Sequence, residues 1–451
     1  MQDNVQPENA GIQKVGISAL IGSAIEWYDF YIYGTAAALV FGTQYFPSFS
    51  PVAGTLAAFA TFAVGFIARP IGAIIFGHFG DRVGRKNTLV LTLLIMGCAT
   101  VLIGAVPNYS TIGVWAPIAL TAIRFIQGFA VGGEWGGATT MVVEHSPRKK
   151  RGFYGGLPQM GVPIGLVLST AVFSAVSALP DDDFMSWGWR IPFFLSALLI
   201  LVGLLIRVKI EETPTFAEMA KAGGKAKIPF KEALVHGWKE ILLTAALYLG
   251  HGVLFYVITV FVLSYGTSEL GLPESLLLTC VMIAAGLEIL LVPAFGALSD
   301  KLGRRTVYIA GAVGAIVMAF PFFAVLETGS PILIGAITIL VITLCHAAMY
   351  GPIAAWYAEM FGPSVRYTGT SIGYQIGGAI SGFAPMIAGV LVGTTGGASW
   401  PLGLMWMIAV GIGIAAALIA KETRGVSLTA KSHPSDSSAT EGVEVENVES
   451  L

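Results

Sequence analysis

Long apolar runs separated by short polar turns make up most of this chain. Each run is long enough to cross a bilayer as a helix, which takes about 20 residues. We number them spans one to twelve, and they fall near residues 15–41, 52–76, 88–106, 114–142, 153–178, 190–208, 239–265, 275–299, 306–326, 331–360, 367–393 and 399–420. The pattern predicts an all-α membrane protein with twelve transmembrane helices.

Polar segments divide the spans into two groups of six. The charged, glycine-containing stretch 209–238 is predicted to be a cytoplasmic linker between an N-terminal half (15–208) and a C-terminal half (239–420). Residues 1–14 are predicted to form a cytoplasmic N-terminus. Residues 421–451 are predicted to form an acidic cytoplasmic tail, with a composition typical of disordered segments.

Charge and composition add orientation and exclude other classes. All of the 25 Lys and Arg residues except Arg69, Arg124 and Arg190 fall on one side of the predicted spans. The positive-inside rule therefore places both termini in the cytoplasm, which needs an even number of spans. With 55% hydrophobic and 12% charged residues the chain cannot be a water-soluble globule of this size. A net charge of -2 also excludes a nucleic-acid-binding protein.

One charged turn occurs twice. Residues 77–86 read GHFGDRVGRK, and residues 296–305 read GALSDKLGRR, 219 positions later (296 minus 77). A Glu followed seven residues on by an Arg also recurs in both halves. The duplication predicts two related halves whose cytoplasmic ends are held together by ion pairs in one conformation. The alternative is that these charges serve only topology and solubility. The predicted cytoplasmic gate residues are Asp81, Arg82, Arg85, Glu144, Arg151, Asp300, Arg304, Glu359 and Arg366.

Charges inside the spans are the candidate chemistry, because a lone ionised group at the bilayer centre costs at least about 2.5 kcal/mol. Glu26, Asp29 and Tyr33 share one face of span one at helical spacing. Asp29 and Arg124 of span four are predicted to lie at similar depth and to pair, so that protonating the Asp frees the Arg. A static buried ion pair is the alternative. The predicted proton-coupling residues are Asp29, Arg124, Glu26 and Glu134. The predicted substrate-binding residues are Arg124, Tyr33, Gln127, Tyr374 and Gln375.

Other polar residues in the spans carry weaker expectations. Arg69, before Pro70, is explained as well by snorkelling or packing near the charged turn as by a substrate role. Trp356 and Tyr357 suit an interfacial aromatic belt better than a cavity. Secondary candidates in the second half are His251, Glu288 and His346.

Several strings resemble a known family. The turn 77–86 and its copy look like the signature loops of the major facilitator superfamily. The strings that resemble its metabolite:proton symporter family, the shikimate type in particular, are EWYDFYIYG at 26–34, ARPIG at 68–72, GHFGDR at 77–82, GGEWGG at 132–137 and SWGWRIP at 186–192. The resemblance implies the major facilitator fold and proton-coupled uptake of an organic solute. It also implies that Asp29 and Arg124 form the coupling pair.

The predicted function is therefore proton symport of a small organic metabolite, a carboxylate such as shikimate, into a bacterium by alternating access. The expected location is the bacterial inner membrane, and the expected partners are the solute, protons and lipid, with no cofactor, no metal and no nucleic acid. We expect a functional monomer. A carrier for a zwitterionic osmolyte of the betaine or proline type is the alternative, and a transporter-like nutrient sensor is the alternative from another class. No motif typical of an enzyme is present.

Overall fold

The computed structural model describes residues 9–83, 85–208, 233–235, 237–362 and 366–428, and the side chains at 9–15, 77–89 and 206–208 are outside this description. Most of the predicted linker 209–238, and the predicted tail beyond residue 428, therefore lie outside the described residues. Within the described ranges the chain is helical, with no strand.

Helices cover all six predicted spans of the first half. They are Asn9–Ala36 continued by the π-helical turn Ala37–Phe41 and by Gly42–Tyr45, Pro51–Val83, Arg85–Ala105, Trp115–Val131 with Glu134–His145, Arg151–Gln159 with Gly161–Val176, and Ile191–Val208. Short helices in the connections are Tyr109–Ile112, Arg148–Lys150, Asp181–Ser186 and Gly188–Arg190. Helices fit these runs because only a helix satisfies every backbone polar group within its own segment in lipid.

The second half repeats this arrangement. Its helices are Trp238–Tyr256 continued by the π-helical turn Val257–Phe261 and by Val262–Ser268, Glu274–Leu302, Arg304–Glu327, Pro331–Leu340 continued by the π-helical turn Val341–His346 and by Ala347–Met360, Arg366–Ser381 with Ala384–Thr394, and Trp400–Ile419. The π-helical turns of spans one and seven begin 220 residues apart (257 minus 37). This offset is close to that of the repeated charged turns, so the duplication extends to the shape of the helices.

Hydropathy and exposure agree with a membrane setting. Ten helices in the described part of the chain are long and apolar enough to cross a bilayer, and the apolar helix Val90–Ala105 is shorter. With span one, helices occupy all twelve predicted positions, and the predicted all-α fold in two six-helix halves is confirmed. Span eight shows the lipid-facing surface, where Ile283, Leu287 and Leu290 are 47%, 45% and 69% exposed. Such an exposed stripe is stable only against lipid.

Glycines let the two halves approach closely at the charged end, which we define as the end that carries Arg151, Arg304 and Arg366. A Cβ atom at Gly152 of span five would lie 2.1 Å from the carbonyl oxygen of Gly296 in span eight. Small residues are the usual means of bringing membrane helices this close. The two copies of the fold therefore touch along their backbones at this end.

We predict that Gly152→Ala separates the halves at the charged end. The added Cβ has no room against backbone, and overpacking of this kind costs about 1–3 kcal/mol. Ala355→Cys serves as a reporter cysteine beside this contact, because Ala355 is fully buried and its backbone nitrogen would lie 3.4 Å from a Cβ at Gly155 of the same helix as Gly152. In a background without the native cysteines, Gly152→Ala should raise the rate of maleimide labelling of the purified protein by about tenfold.

Gly286→Ala is the matched control, because a Cβ at Gly286 meets nothing within 4 Å. It should leave the labelling rate unchanged. Equal labelling of the two variants would show that the Gly152–Gly296 contact does not hold the halves together.

Candidate functional site

Asp29 is buried in the first half, with 1% of its surface exposed. Its Oδ2 accepts a hydrogen bond from Thr100 Oγ1 of span three at 2.8 Å, and its Oδ1 accepts one from Ser196 Oγ of span six at 2.6 Å. Both partners are neutral hydroxyls. The carboxyl group is thus hydrogen-bonded on both oxygens, and within the described residues no cation pairs with it directly.

Arg124 does not pair directly with Asp29, so that predicted contact is wrong. Its Nη1 instead donates to Gln127 Oε1, one turn further along span four, and Gln127 Nε2 donates to Thr100 Oγ1 at 2.7 Å. A hydroxyl and an amide thus occupy the space between the two charges. The result is a buried chain of side chains from Asp29 through Thr100 and Gln127 to Arg124.

The Arg124 guanidinium is enclosed by the first half. Its Cζ lies 4.4 Å from the Phe30 ring centroid and 4.2 Å from the Tyr33 ring centroid. A Cβ at Gly65 would lie 2.5 Å from Arg124 Nε, so span two packs against that edge of the group. Cation–π contacts of this kind replace part of the hydration that a buried cation loses.

The three polar residues predicted on one face of span one are all buried, but they do not form one group. Asp29 turns towards spans three and six, as described above. Tyr33 donates to Thr61 Oγ1 of span two at 2.6 Å. Glu26 Oε1 lies 3.8 Å from Arg69 Nη2, also on span two. Helical spacing predicts only approximately where each side chain points. The neighbouring helices determine which partner each side chain contacts.

Arg69 has a more central position than its sequence context indicated. It is 1% exposed, so it does not snorkel to the membrane surface. Its Cζ lies 4.7 Å from the Phe30 ring centroid, 4.8 Å from that of Phe66 and 5.4 Å from that of Trp27. The available signal was a single charge within an apolar run.

Polar side chains of the second half form a buried cluster of their own. His346 Nδ1 forms a hydrogen bond with Glu288 Oε1, and both residues are buried. The ring of His251 lies 5.5 Å from that of His346. Tyr350 Oη donates to Gln159 Oε1 of span five at 2.9 Å, so this cluster is joined to the first half through a glutamine that the sequence did not single out.

Tyr374 and Gln375 of span eleven lie at the contact between the halves. Tyr374 stacks on Trp135 of span four with ring centroids 3.6 Å apart, and Gln375 Nε2 donates to the carbonyl oxygen of Gly132 at 3.0 Å. Glu134, which lies between Gly132 and Trp135 in the sequence, is also buried, with 6% of its surface exposed.

Trp356 and Tyr357 are fully buried, so the interfacial belt predicted for them is wrong. Trp356 Nε1 donates to the carbonyl oxygen of Lys421, and Tyr357 Oη donates to that of Thr244. Both rings turn inwards because each has a backbone acceptor inside the second half.

Arg304 is the centre of the ionic network at the charged end. Its Nε and Nη2 donate to the two carboxylate oxygens of Glu359, each at 3.2 Å, and its Nη1 donates to Asp300 Oδ1 at 2.7 Å. Asp300 also accepts hydrogen bonds from the backbone amides of Gly152 and Phe153 in the first half, at 2.8 and 3.0 Å. One carboxylate thus joins the repeated turn of the second half to a helix start of the first half.

Two further ion pairs cross between the halves. Arg366 Nη1 lies 2.9 Å from Glu144 Oε1, and Arg151 Nη1 lies 3.7 Å from Glu359 Oε1. Six of the nine predicted gate residues are therefore brought together. The side chains of the other three lie outside the described residues, and they are Asp81, Arg82 and Arg85.

The segment after span twelve also belongs to this network, which the sequence did not indicate. Glu422 accepts hydrogen bonds from the backbone amides of Arg304 and Arg305, both at 3.0 Å. Thr423 Oγ1 donates to Glu359 Oε2 at 2.7 Å, and the carbonyl oxygen of Val426 accepts from Arg151 Nη1 at 2.7 Å.

A bundle of two related six-helix halves with charges buried between and within them defines the class of secondary membrane transporters. The sequence profile of the Major Facilitator Superfamily matches residues 19–381. The chain belongs to the major facilitator superfamily.

Relatives agree with this assignment. The chain is 45% identical to the shikimate transporter of Escherichia coli K12 over 384 residues, covering 84% of this chain and 88% of the relative. It is 43% identical to the inner membrane metabolite transport protein YhjE of the same organism, covering 92% and 95% of the two chains. The solved structure of the xylose transporter XylE from E. coli matches with a TM-score of 0.72 at 18% identity, covering 93% of this chain and 100% of that one, and shows the shared fold.

The predicted resemblance to metabolite transporters of the shikimate type is thereby confirmed. The protein is a multi-pass membrane protein and a metabolite transporter of this superfamily, not an enzyme.

We predict that Glu359→Gln destabilises the protein more than Glu144→Gln does. Glu359 is buried, and removing its charge leaves Arg304 partly uncompensated, which costs on the order of 3 kcal/mol. The side chain of Glu144 is 46% exposed, so its pair with Arg366 contributes less than about 1 kcal/mol. Thermal unfolding of the purified variants should show a clearly lower midpoint for Glu359→Gln alone. Equal midpoints would contradict the central place of Arg304.

Proposed function

We propose that this protein is a symporter that carries a small organic carboxylate together with a proton into a bacterium by alternating access, with both termini in the cytoplasm. The observation that carries the proposal is the buried chain from Asp29 through Thr100 and Gln127 to Arg124. Asp29 is an acid buried in a membrane span, and its partners among the described residues are neutral hydroxyls, so it is suited to carry a proton.

This chain of hydrogen bonds can transmit the protonation of Asp29 to Arg124. While Asp29 is ionised, it holds the Thr100 hydroxyl proton, and Thr100 oxygen is left to accept from Gln127. A proton on Asp29 removes the charge that orients this hydroxyl. Gln127 and Arg124 can then change partners. One proton on Asp29 thus alters the position of the Arg124 guanidinium, although two side chains lie between them.

The network at the charged end serves as the cytoplasmic gate in this proposal. Asp300 and Glu359 join the halves there through ionic and backbone hydrogen bonds. At the opposite end the halves meet through apolar contacts, such as the Phe59 and Phe261 rings at 6.2 Å. Parting one set of contacts while keeping the other opens the centre to one side only, which is what alternating access requires.

A carboxylate such as shikimate is the substrate class we favour. Support comes from the 45% identity to the shikimate transporter and from two buried arginines, whose guanidinium fork matches a carboxylate. A betaine-type osmolyte would need an open aromatic box. Trp135 and Tyr374 stack directly on each other, with centroids 3.6 Å apart, and leave no such box between them. A nutrient sensor would not accumulate solute at all.

We predict that Asp29→Asn abolishes accumulation of shikimate driven by a proton gradient in proteoliposomes, because the amide cannot carry a proton. Exchange of labelled for unlabelled shikimate without a gradient should persist, since exchange needs no net proton movement. Labelled glycine betaine, offered in place of shikimate, tests the osmolyte alternative.

Asp182→Asn is the matched control, because Asp182 is an exposed acid between spans five and six. It should accumulate solute normally. Gradient-driven accumulation by Asp29→Asn would rule out Asp29 as the proton carrier. Accumulation of labelled glycine betaine but not of labelled shikimate by the wild type would replace the proposed substrate class.

A further inference from the structure

Arg69 carries two unused hydrogen-bond donors. Its Nε and Nη2 have no hydrogen-bond partner among the described residues, although the side chain is 99% buried. Leaving donors of a charged group unsatisfied in a buried place is costly. A group that fills this edge of the guanidinium would remove the cost.

The unused edge has the geometry that holds a carboxylate. Nε and Nη2 lie on the same side of a guanidinium, and Arg304 of this chain uses these same two atoms to bind both oxygens of Glu359, each at 3.2 Å. Among the described residues the carboxylate paired with Arg69 is that of Glu26, whose Oε1 lies 3.8 Å from Nη2, beyond hydrogen-bond distance. Arg69 thus has the donors for a bidentate carboxylate contact and lacks the acceptor.

Arg69 also faces the second half. Phe30, one of the rings beside its guanidinium, lies 6.3 Å from the Tyr256 ring of span seven, and a Cβ at Gly382 of span eleven would lie 2.1 Å from the Phe66 ring. Phe66, one of the rings beside its guanidinium, lies 5.1 Å from the Tyr256 ring. The group therefore lies at the boundary between the halves, where a transported solute must be held while access alternates.

Arg124 is less suited to this contact. Its Nε and Nη2 also lack hydrogen-bond partners in the described part of the chain, but Gly65 of span two packs against that edge. Its Nη1 is already engaged with Gln127 in the chain that leads to Asp29. Both arginines thus offer the same two donor atoms, but span two covers this edge of Arg124.

We propose that Arg69 binds the carboxylate of the transported solute through Nε and Nη2, while Arg124 serves proton coupling. This inference rests on the proposed function, and it moves the carboxylate contact from Arg124, where the sequence placed it, to a residue of span two. The Phe30 and Phe66 rings flank the guanidinium and limit its rotation, so the donor edge is held ready for the solute.

The test is binding of shikimate and of its methyl ester to the purified full-length protein by calorimetry. The wild type should bind the acid at least about tenfold more tightly than the ester, because only the acid offers a charged bidentate acceptor. In Arg69→Gln this ratio should fall to about one. In Arg124→Gln, the matched control, the preference for the acid should persist although gradient-driven uptake is lost.

A merely structural role for Arg69 would change both affinities together and leave their ratio intact. An acid preference that survives in Arg69→Gln therefore overturns the inference and leaves Arg69 as a partner of Glu26. If Arg69→Gln fails to fold, Arg69→Lys decides: a point charge without the fork should reduce the ratio severalfold, and an unchanged ratio contradicts the proposal. If the wild type binds neither compound, the proposed substrate class fails, and this inference fails with it.

Discussion

The cost of burying charge in a membrane protein is the constraint on which this structure depends. Away from water, each ionised side chain must find hydrogen-bond donors, an opposite charge or an aromatic face. At the charged end Arg304 finds Glu359 and Asp300. Inside the first half Asp29 is bound by two hydroxyls, and Arg69 contacts aromatic rings. The difference separates a network that holds the two halves together from groups that are free to react with a proton or a solute.

The duplicated sequence explains why the gate is asymmetric. Both copies supply a Glu and an Arg at the same spacing, yet Arg366 pairs across to Glu144 while Arg151 contacts Glu359 weakly, at 3.7 Å. Glu359 is already occupied by Arg304 and by Thr423 from the segment after span twelve. That segment thus adds hydrogen bonds on one side of the pseudo-symmetric contact, so the two crossing pairs differ in strength.

Much of the fold could be predicted from the sequence, because apolar run length and the distribution of Lys and Arg report directly on the bilayer. The contacts within the site could not be predicted in this way. Asp29 and Arg124 do not meet, because Thr100 and Gln127 stand between them, and neither a hydroxyl nor an amide is distinctive in a membrane helix. Arg69 was visible as a buried charge, but only tertiary packing shows that it faces the second half.

Coupling of protons to solute through Asp29 can be measured as proton movement during shikimate uptake. Proteoliposomes loaded with a weak buffer, and suspended in a medium with a pH-sensitive dye, should show alkalinisation of the medium when shikimate is added without an imposed gradient. Proton coupling through Asp29 predicts this signal for the wild type and its loss in Asp29→Asn. Entry of shikimate with no change in external pH would contradict proton coupling through Asp29.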